Sequence, residues 1–248
     1  MLFPLRDLNP TRRRPLMTWA IVAITSAVYL LEVLLHPEHL QQLAYLFGIV
    51  PARYSHPDWA LQVGFPIDDY WPFLTSMFLH AGVLHLASNM WILWVFGDNV
   101  EDRMGRWRFL AFYAICGIGA GLVHWWTNPH SIVPTVGASG AIAGVLGAYI
   151  VLYPRARVLT LLLLVFWPIT FEVSAFFFLV YWFGIQLLSG TAALLGPEQV
   201  GGIAWWAHVG GFVAGVILLP VFAKKTAGTV AFDVQRVPGG MADSRPQR

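Results

Sequence analysis

Polar and apolar positions along this chain fall into long blocks, with neither the strict alternation of a half-buried strand nor the narrow stripe of a surface helix. Apolar runs cover about residues 17–36, 75–97, 107–127, 139–153, 173–190 and 203–223, and charged side chains sit almost entirely between them. At about 1.5 Å of rise per residue, helices of this kind cross a hydrocarbon core of about 30 Å. The blocks predict an all-α fold, a polytopic membrane bundle of six transmembrane helices over residues 17–223. Residues 1–16 form a leading segment, and 224–248 a polar tail rich in Gly and Pro that is expected to be disordered. Residues 37–74, with Pro37, Pro51, Pro57 and Pro66, are too many and too apolar for a plain linker. They are expected to pack on or dip into the membrane surface. The stretch "RVLTLLLLVFWPITFEVSAFFF" (157–178) is apolar but interrupted by Pro168 and Glu172. It reads either as an interfacial hairpin before span five or as an earlier start of that span.

Composition narrows the class. The chain has 248 residues, 57% hydrophobic and 11% charged, where soluble domains carry about 25% charged residues. The formal net charge of +2 says little about partners, because the basic residues are clustered. Arg6, Arg12, Arg13 and Arg14 precede span one, and Arg103, Arg106 and Arg108 lie between spans two and three. Arg155 and Arg157 lie between spans four and five, and Lys224 and Lys225 follow span six. Six alternating spans put all of these on one side, which is cytoplasmic by the positive-inside rule and holds both termini. The other side carries Arg53 with Glu38, Asp58, Asp68, Asp69 and Glu198. No basic patch interleaved with aromatics marks a nucleic-acid partner. Cys116 stands alone in an apolar run, so an intrachain disulfide is excluded and a buried, inert thiol is expected. The first apolar run is followed by no small-residue cleavage site and reads as a retained span.

Against this background four side chains need a reason: His85 and Asn89 in span two, Ser139 at the head of span four, and His208 in span six. A strongly polar group at a span's centre costs about 2.5 kcal/mol or more on insertion scales. Singly, each has a plain explanation: serine eases helix contact, histidine is a hydrogen-bonded structural group, and asparagine cross-links helices. Their depths argue otherwise. From the basic end of their spans, His85, Ser139 and His208 stand about 18, 21 and 22 Å up a core of about 30 Å. Asn89 is one turn from His85 on nearly the same face. Span four is also short, about 22 Å, so the loop before it must descend into protein or a wet cavity. Ser139 is thereby left at a helix N-terminus, whose free amides and dipole suit a developing oxyanion. Gly140, Gly144 and Gly147 in span four, with Gly211 and Gly215 in span six, form small-residue stripes that allow the backbones to approach and Ser139 to meet His208.

These residues lie in four motifs: "HAGVLHLASNM" (His80 to Met90), "EDRMG" (Glu101 to Gly105), "GASGAIAGVLGAY" (Gly137 to Tyr149) and "AHVGGFVAG" (Ala207 to Gly215). In order and spacing they resemble the rhomboid family of intramembrane serine proteases, over about residues 15–223. The resemblance implies that Ser139 is the nucleophile and His208 the general base of a dyad without a carboxylate. It implies that His85 and Asn89 line an oxyanion hole with the Ser139 amide, and that His80 is a further histidine of the site. Gly137 matches the first glycine of GxSG, and Gly211 and Gly215 the packing glycines of span six. The implied activity is cleavage of single-span transmembrane proteins near the outer surface of a bacterial cytoplasmic membrane, with no metal and no cofactor. The chain departs from the family pattern twice. No Trp-Arg pair stands between residues 37 and 74. Four residues after the serine, where many relatives have an aromatic against which the histidine stacks, stands Ala143. The His208 ring is then either held less firmly or held by another side chain.

Other intramembrane proteases need signatures that are missing. No HExxH occurs, and His80 and His85 lack the intervening glutamate of a zinc site. None of the expected spans holds an aspartate, which argues against an aspartyl dyad. His36, His56, His124 and His130 fall in loops or near span ends and read as solvated or interfacial. The alternative is a catalytically inactive rhomboid-like protein that binds transmembrane clients, disfavoured by the presence of both Ser139 and His208. A transporter is disfavoured by the absence of an internal repeat or paired broken helices.

Overall fold

The computed structural model describes residues 2–66, 68–164, 167–195 and 204–224. The tail expected to be disordered lies, beyond Lys224, outside the described residues, as do Lys225 and Glu198. In chain order the elements are β1 (Leu2–Asp7), α1 (Leu16–Val33), α2 (Pro37–Phe47), α3 (Pro51–Ser55), α4 (Pro57–Gln62) and α5 (Pro72–Thr75), with a 3₁₀ turn over Ser76–Phe78. Then come α6 (Val83–Met104), α7 (Arg106–Thr127), α8 (Ser139–Leu152), β2 (Arg157–Leu164), β3 (Trp167–Ser174), α9 (Ala175–Leu195) and α10 (Trp205–Phe222).

Six of these helices, α1, α6, α7, α8, α9 and α10, answer the six apolar blocks. Four of them, α1, α7, α9 and α10, are long and apolar enough to cross a membrane unaided. A fifth crossing is counted if α6 is joined to the Pro72–Phe78 segment, from which it is bent by 96°. With 14 residues, α8 is too short to cross alone. It is instead the centre of the bundle: every residue from Gly140 to Tyr149 is buried, walled by α6, α7, α9 and α10. A helix apolar on all sides is expected in such a position.

The second block folds differently from its hydropathy. The expected continuous span over 75–97 is broken, and the chain turns between Phe78 and Val83 before α6 begins. The Ser76 carbonyl accepts from the Leu79 and Gly137 amides, so it is not available to continue a helix. At its other end α6 runs past Gly97 to Met104, so Glu101 to Arg103 are helical and Gly105 alone separates α6 from α7. Asp98 and Asp102 therefore do lie on a bundle helix, near the end remote from His85. Apolar content marks where lipid ends, not where backbone hydrogen bonding ends.

Glu101 shows why the helix extends. Pro15, at the N-cap of α1, supplies no side-chain cap. The Glu101 carboxylate takes that place, accepting from the Met17 amide (3.0 Å), the Thr18 amide (2.8 Å) and the Thr18 hydroxyl (2.9 Å). First-turn amides have no acceptor in their own helix, and a carboxylate there also meets the positive end of the dipole.

A small three-stranded antiparallel sheet, in the order β1-β2-β3, accompanies the mostly helical bundle. Of the two readings of 157–178, the hairpin is the one found: β2 pairs with β3 from Arg157↔Ser174 to Leu164↔Trp167, and α9 starts only at Ala175. The leading segment is not a loose arm, since Leu2 to Asp7 pair with Leu162 to Val158. Trp91 Nε1 donates to the Pro4 carbonyl (2.7 Å), and Asp7 accepts from Tyr149 Oη (2.6 Å) and Asn99 Nδ2 (2.8 Å). The sheet is thus fastened to α6 and α8.

Two measurements test these attachments. Glu101→Ala should lower stability by about 2 kcal/mol by orphaning the first turn of α1, read as a lower thermal midpoint in detergent, with Glu101→Gln intermediate. Burial, reinforced by Asp98 and opposed by the Tyr149 hydrogen bond, pushes the Asp7 carboxyl up to about 7. The folded chain then keeps a proton that an unfolded aspartate releases near pH 4. The Asp7 contribution is fully present below about pH 4 and is lost as the pH rises through about 7. The midpoint of the wild type should fall over that range relative to Asp7→Asn.

Candidate active site

Ser139 is the first residue of α8, so its amide and the next ones have no acceptor within the helix. The loop before it is held at the required depth by backbone pairing. Ile49 and Thr135 exchange hydrogen bonds (3.0 and 2.8 Å), and the Ala52 amide donates to the Ser131 carbonyl (2.9 Å). Closer in, the Gly137 amide donates to the Ser76 carbonyl (2.8 Å), and the Ala138 amide points to His80 Nε2 (3.5 Å). Gly137 has φ +128°, and a Cβ there would stand 2.7 Å from His85 Cε1. Only glycine fits, for both reasons.

His208 reaches Ser139 from α10. Its Nε2 lies 2.8 Å from Ser139 Oγ, and both residues are half-buried. The approach depends on bare backbone: a Cβ at Gly211 would overlap the Gly140 carbonyl, and one at Gly215 the Gly144 carbonyl. Gly147 meets the Phe212 carbonyl in the same way, and Gly144 also rests on the buried Cys116. The other ring nitrogen, Nδ1, lies 2.7 Å from Gln186 Oε1 on α9. Trp182 (ring centroids 6.0 Å) and Trp205 (6.3 Å) flank the imidazole. These side chains occupy the surroundings of His208 in place of an aromatic at position 143, where Ala143 is buried inside the bundle.

From α6, His85 lies against Gly137, and its ring meets His80 edge-on with centroids 5.0 Å apart. Asn89 is buried one turn on, where one Nδ2 hydrogen goes to the His85 carbonyl (3.0 Å) and the other is left for a further acceptor. The structure thus brings Ser139, His208, His85, Asn89, His80 and Gly137 to one end of α8. Gln186 was not among the residues singled out in the sequence. The signal was present, since it is a strongly polar residue inside span five.

The surroundings correct one expectation. His124, read as solvated or interfacial, is buried in the last turns of α7, with Nε2 2.8 Å from Thr135 Oγ1, and it helps hold the loop that leads to Ser139. Arg53, the basic residue read on the outer side, is buried. It pairs with Asp69 at 2.7 Å and lies near the Tyr54 and Phe65 rings, which ties α3 to the chain just before α5 without a Trp-Arg pair. His56 and His130 do lie at the surface, 2.8 Å apart. Among the described residues, no three His, Cys, Asp or Glu side chains converge as a metal ion would need.

Residues 68–225 match the family model of the Rhomboid domain, more than half of the chain and the whole of this site. The chain belongs to the rhomboid family. It is similar to Rhomboid-like protein 11, chloroplastic, of Arabidopsis thaliana, 27% identical over 92% of this chain and 72% of that protein. It is similar also to Rhomboid protease GluP of Bacillus subtilis (strain 168), 42% identical over 32% of this chain and 15% of that protein. With the mouse (Mus musculus) Presenilin-associated rhomboid-like protein, mitochondrial, it shares 29% identity over 58% of this chain and 36% of that protein. Rhomboid proteins include serine proteases as well as members without activity. With its apolar helices, this rhomboid is a multi-pass membrane protein.

The site geometry makes Gly137 a sensitive backbone position in the loop before Ser139. Gly137→Ala should destabilise the fold by about 2 kcal/mol through its positive φ and the His85 overlap. The check is a thermal melt in detergent, against Gly184→Ala, where a Cβ meets nothing within 4 Å.

Proposed function

We propose that this rhomboid is an intramembrane serine endopeptidase that cuts single-span transmembrane proteins near the outer membrane surface. The observation that carries this reading is the 2.8 Å contact between Ser139 Oγ and His208 Nε2 at the N-terminus of a buried helix. His208 takes the hydroxyl proton as Oγ attacks the scissile carbonyl carbon. The carbonyl oxygen gathers negative charge opposite the Ser139 amide and the positive end of α8, with Asn89 Nδ2 and His85 as further donors. Collapse of the tetrahedral species breaks the C–N bond, and His208 returns the proton to the leaving amine. Water, activated by the same histidine, then hydrolyses the acyl-enzyme and restores Ser139.

Charge distribution supports the orientation. Arg6, Arg12, Arg103, Arg106, Arg155, Arg157 and Lys224 belong to the end remote from Ser139, which we assign to the cytoplasm with both termini. Ser139 then opens toward the outer leaflet of a bacterial cytoplasmic membrane, where a substrate helix can unwind and water can enter. We take residues 17–223 as the protease domain with six spans, α8 being the short one.

Reconstitution in liposomes with a model transmembrane substrate and a fluorophosphonate probe tests the reading. Wild type should label and cleave, whereas Ser139→Ala and His208→Ala should lose at least about 10³-fold. Asn89→Ala and His85→Ala should each lower kcat about 10²-fold. Cleavage that survives Ser139→Ala would refute the mechanism, and a folded wild type that neither labels nor cleaves would leave client binding as the function.

A further inference from the structure

Gln186 is the polar residue of α9 that reaches the site, and it is 5% exposed. Its amide makes two contacts that together fix its orientation. One end lies 3.4 Å from the Trp182 carbonyl one turn back, and the other 2.7 Å from His208 Nδ1. A carbonyl oxygen only accepts, so the end facing Trp182 is the NH₂ group, and the end facing the imidazole is Oε1. Oε1 also only accepts, so Nδ1 of His208 must carry the hydrogen. In a neutral ring this leaves the lone pair on Nε2, pointing at Ser139 Oγ 2.8 Å away.

We propose that Gln186 is a positioning residue that fixes the tautomer and rotation of His208, forming a Ser139–His208–Gln186 line across α8, α10 and α9. This deepens the proposed protease mechanism and rests on it. A serine needs the base's unprotonated nitrogen, and an imidazole with its hydrogen on Nε2 cannot accept the Ser139 proton. Without a partner on Nδ1 the two tautomers would compete, because the Trp182 and Trp205 rings that flank the imidazole do not distinguish its two nitrogens. A buried carboxylate in this position would add a charge that the bundle would have to solvate. The amide gives the same directional acceptor without that charge. Among the described residues, the titratable groups that act on His208 from its neighbours are His85 on α6 and His124 on α7, and neither is a carboxylate.

The test uses the full chain in detergent, comparing wild type with Gln186→Leu and Gln186→Glu. Histidine ¹⁵N spectra, assigned with His208→Ala, read the tautomer directly. The wild type should be the Nδ1–H form and Gln186→Leu a mixture. Fluorophosphonate labelling rates against pH read nucleophile activation. Gln186→Leu should label about 10- to 100-fold more slowly, with kcat on a model transmembrane substrate reduced and KM unchanged. Gln186→Glu, nearly the same shape, should label well and raise the acid limb by about one pH unit, since a carboxylate favours the imidazolium. An Nε2–H ring in wild type, or Gln186→Leu labelling at the wild-type rate, overturns the role. So does an acid limb unmoved in Gln186→Glu. If Gln186→Leu does not fold, the glutamate variant and the wild-type spectrum still decide. Failure of the protease reading has a different signature: no labelling by folded wild type, whatever its tautomer.

Discussion

At Gly211 and Gly215 the α10 backbone rests on the carbonyl oxygens of Gly140 and Gly144, and not even a methyl group fits between them. In lipid, apolar surface gains nothing by turning from acyl chains to another helix, so such a contact is held by close packing. It also sets a register. Gly211 is one turn from His208, and Gly140 follows Ser139 directly, so fixing the glycines against the carbonyls fixes the height of the imidazole relative to the hydroxyl. The proposed chemistry is therefore a consequence of packing geometry. A side chain at any of these positions would move two helices before it touched a catalytic atom.

Burying α8 on all sides creates a difficulty at its ends, where backbone groups lack helical partners. Its first amides stay unpartnered, while other elements hold both ends of the helix in place. Above Ser139, the Ile49–Thr135 pairing and the Ser76–Gly137 bond carry the incoming loop. Below, Tyr149 donates to Asp7 of β1, and Asn99 joins the same carboxylate from α6. Glu101 does the equivalent for α1. The apolar middle is thus bracketed by polar ties between residues far apart in sequence, which fix helix ends that apolar packing alone would leave free to slide.

The apolar blocks made the helices legible, because a run that cannot be solvated by water must cross or be buried. Depth made Ser139, His208 and His85 legible as a group, and the glycine stripes showed which helices could meet. What hydropathy could not read was hydrogen bonding. The second block looked continuous, but Ser76 gives its carbonyl to Gly137, and the helix starts afresh at Val83. Glu101 looked like a loop residue because it is charged, yet it is helical and buried because α1 needs its carboxylate. The strands of 157–174 are as apolar as a span, and only their pairing distinguishes them. Gln186 broke the apolar pattern of its span as plainly as His208 did, but its partner could be known only once α9 and α10 were placed side by side.

A short central helix reconciles two demands that conflict in a membrane. Hydrolysis needs water, a base and hydrogen-bond donors, while lipid penalises all of them. A helix of full length would place its free amides at the surface, away from the apolar segment that the proposed reaction would cut. By starting inside the bundle, α8 brings four things to one point: the proposed nucleophile, unpartnered N–H groups, the positive end of a dipole, and a loop that protein backbone and not lipid must satisfy. The shortness of α8, which by its length alone would disqualify it as a span, is what makes the site possible.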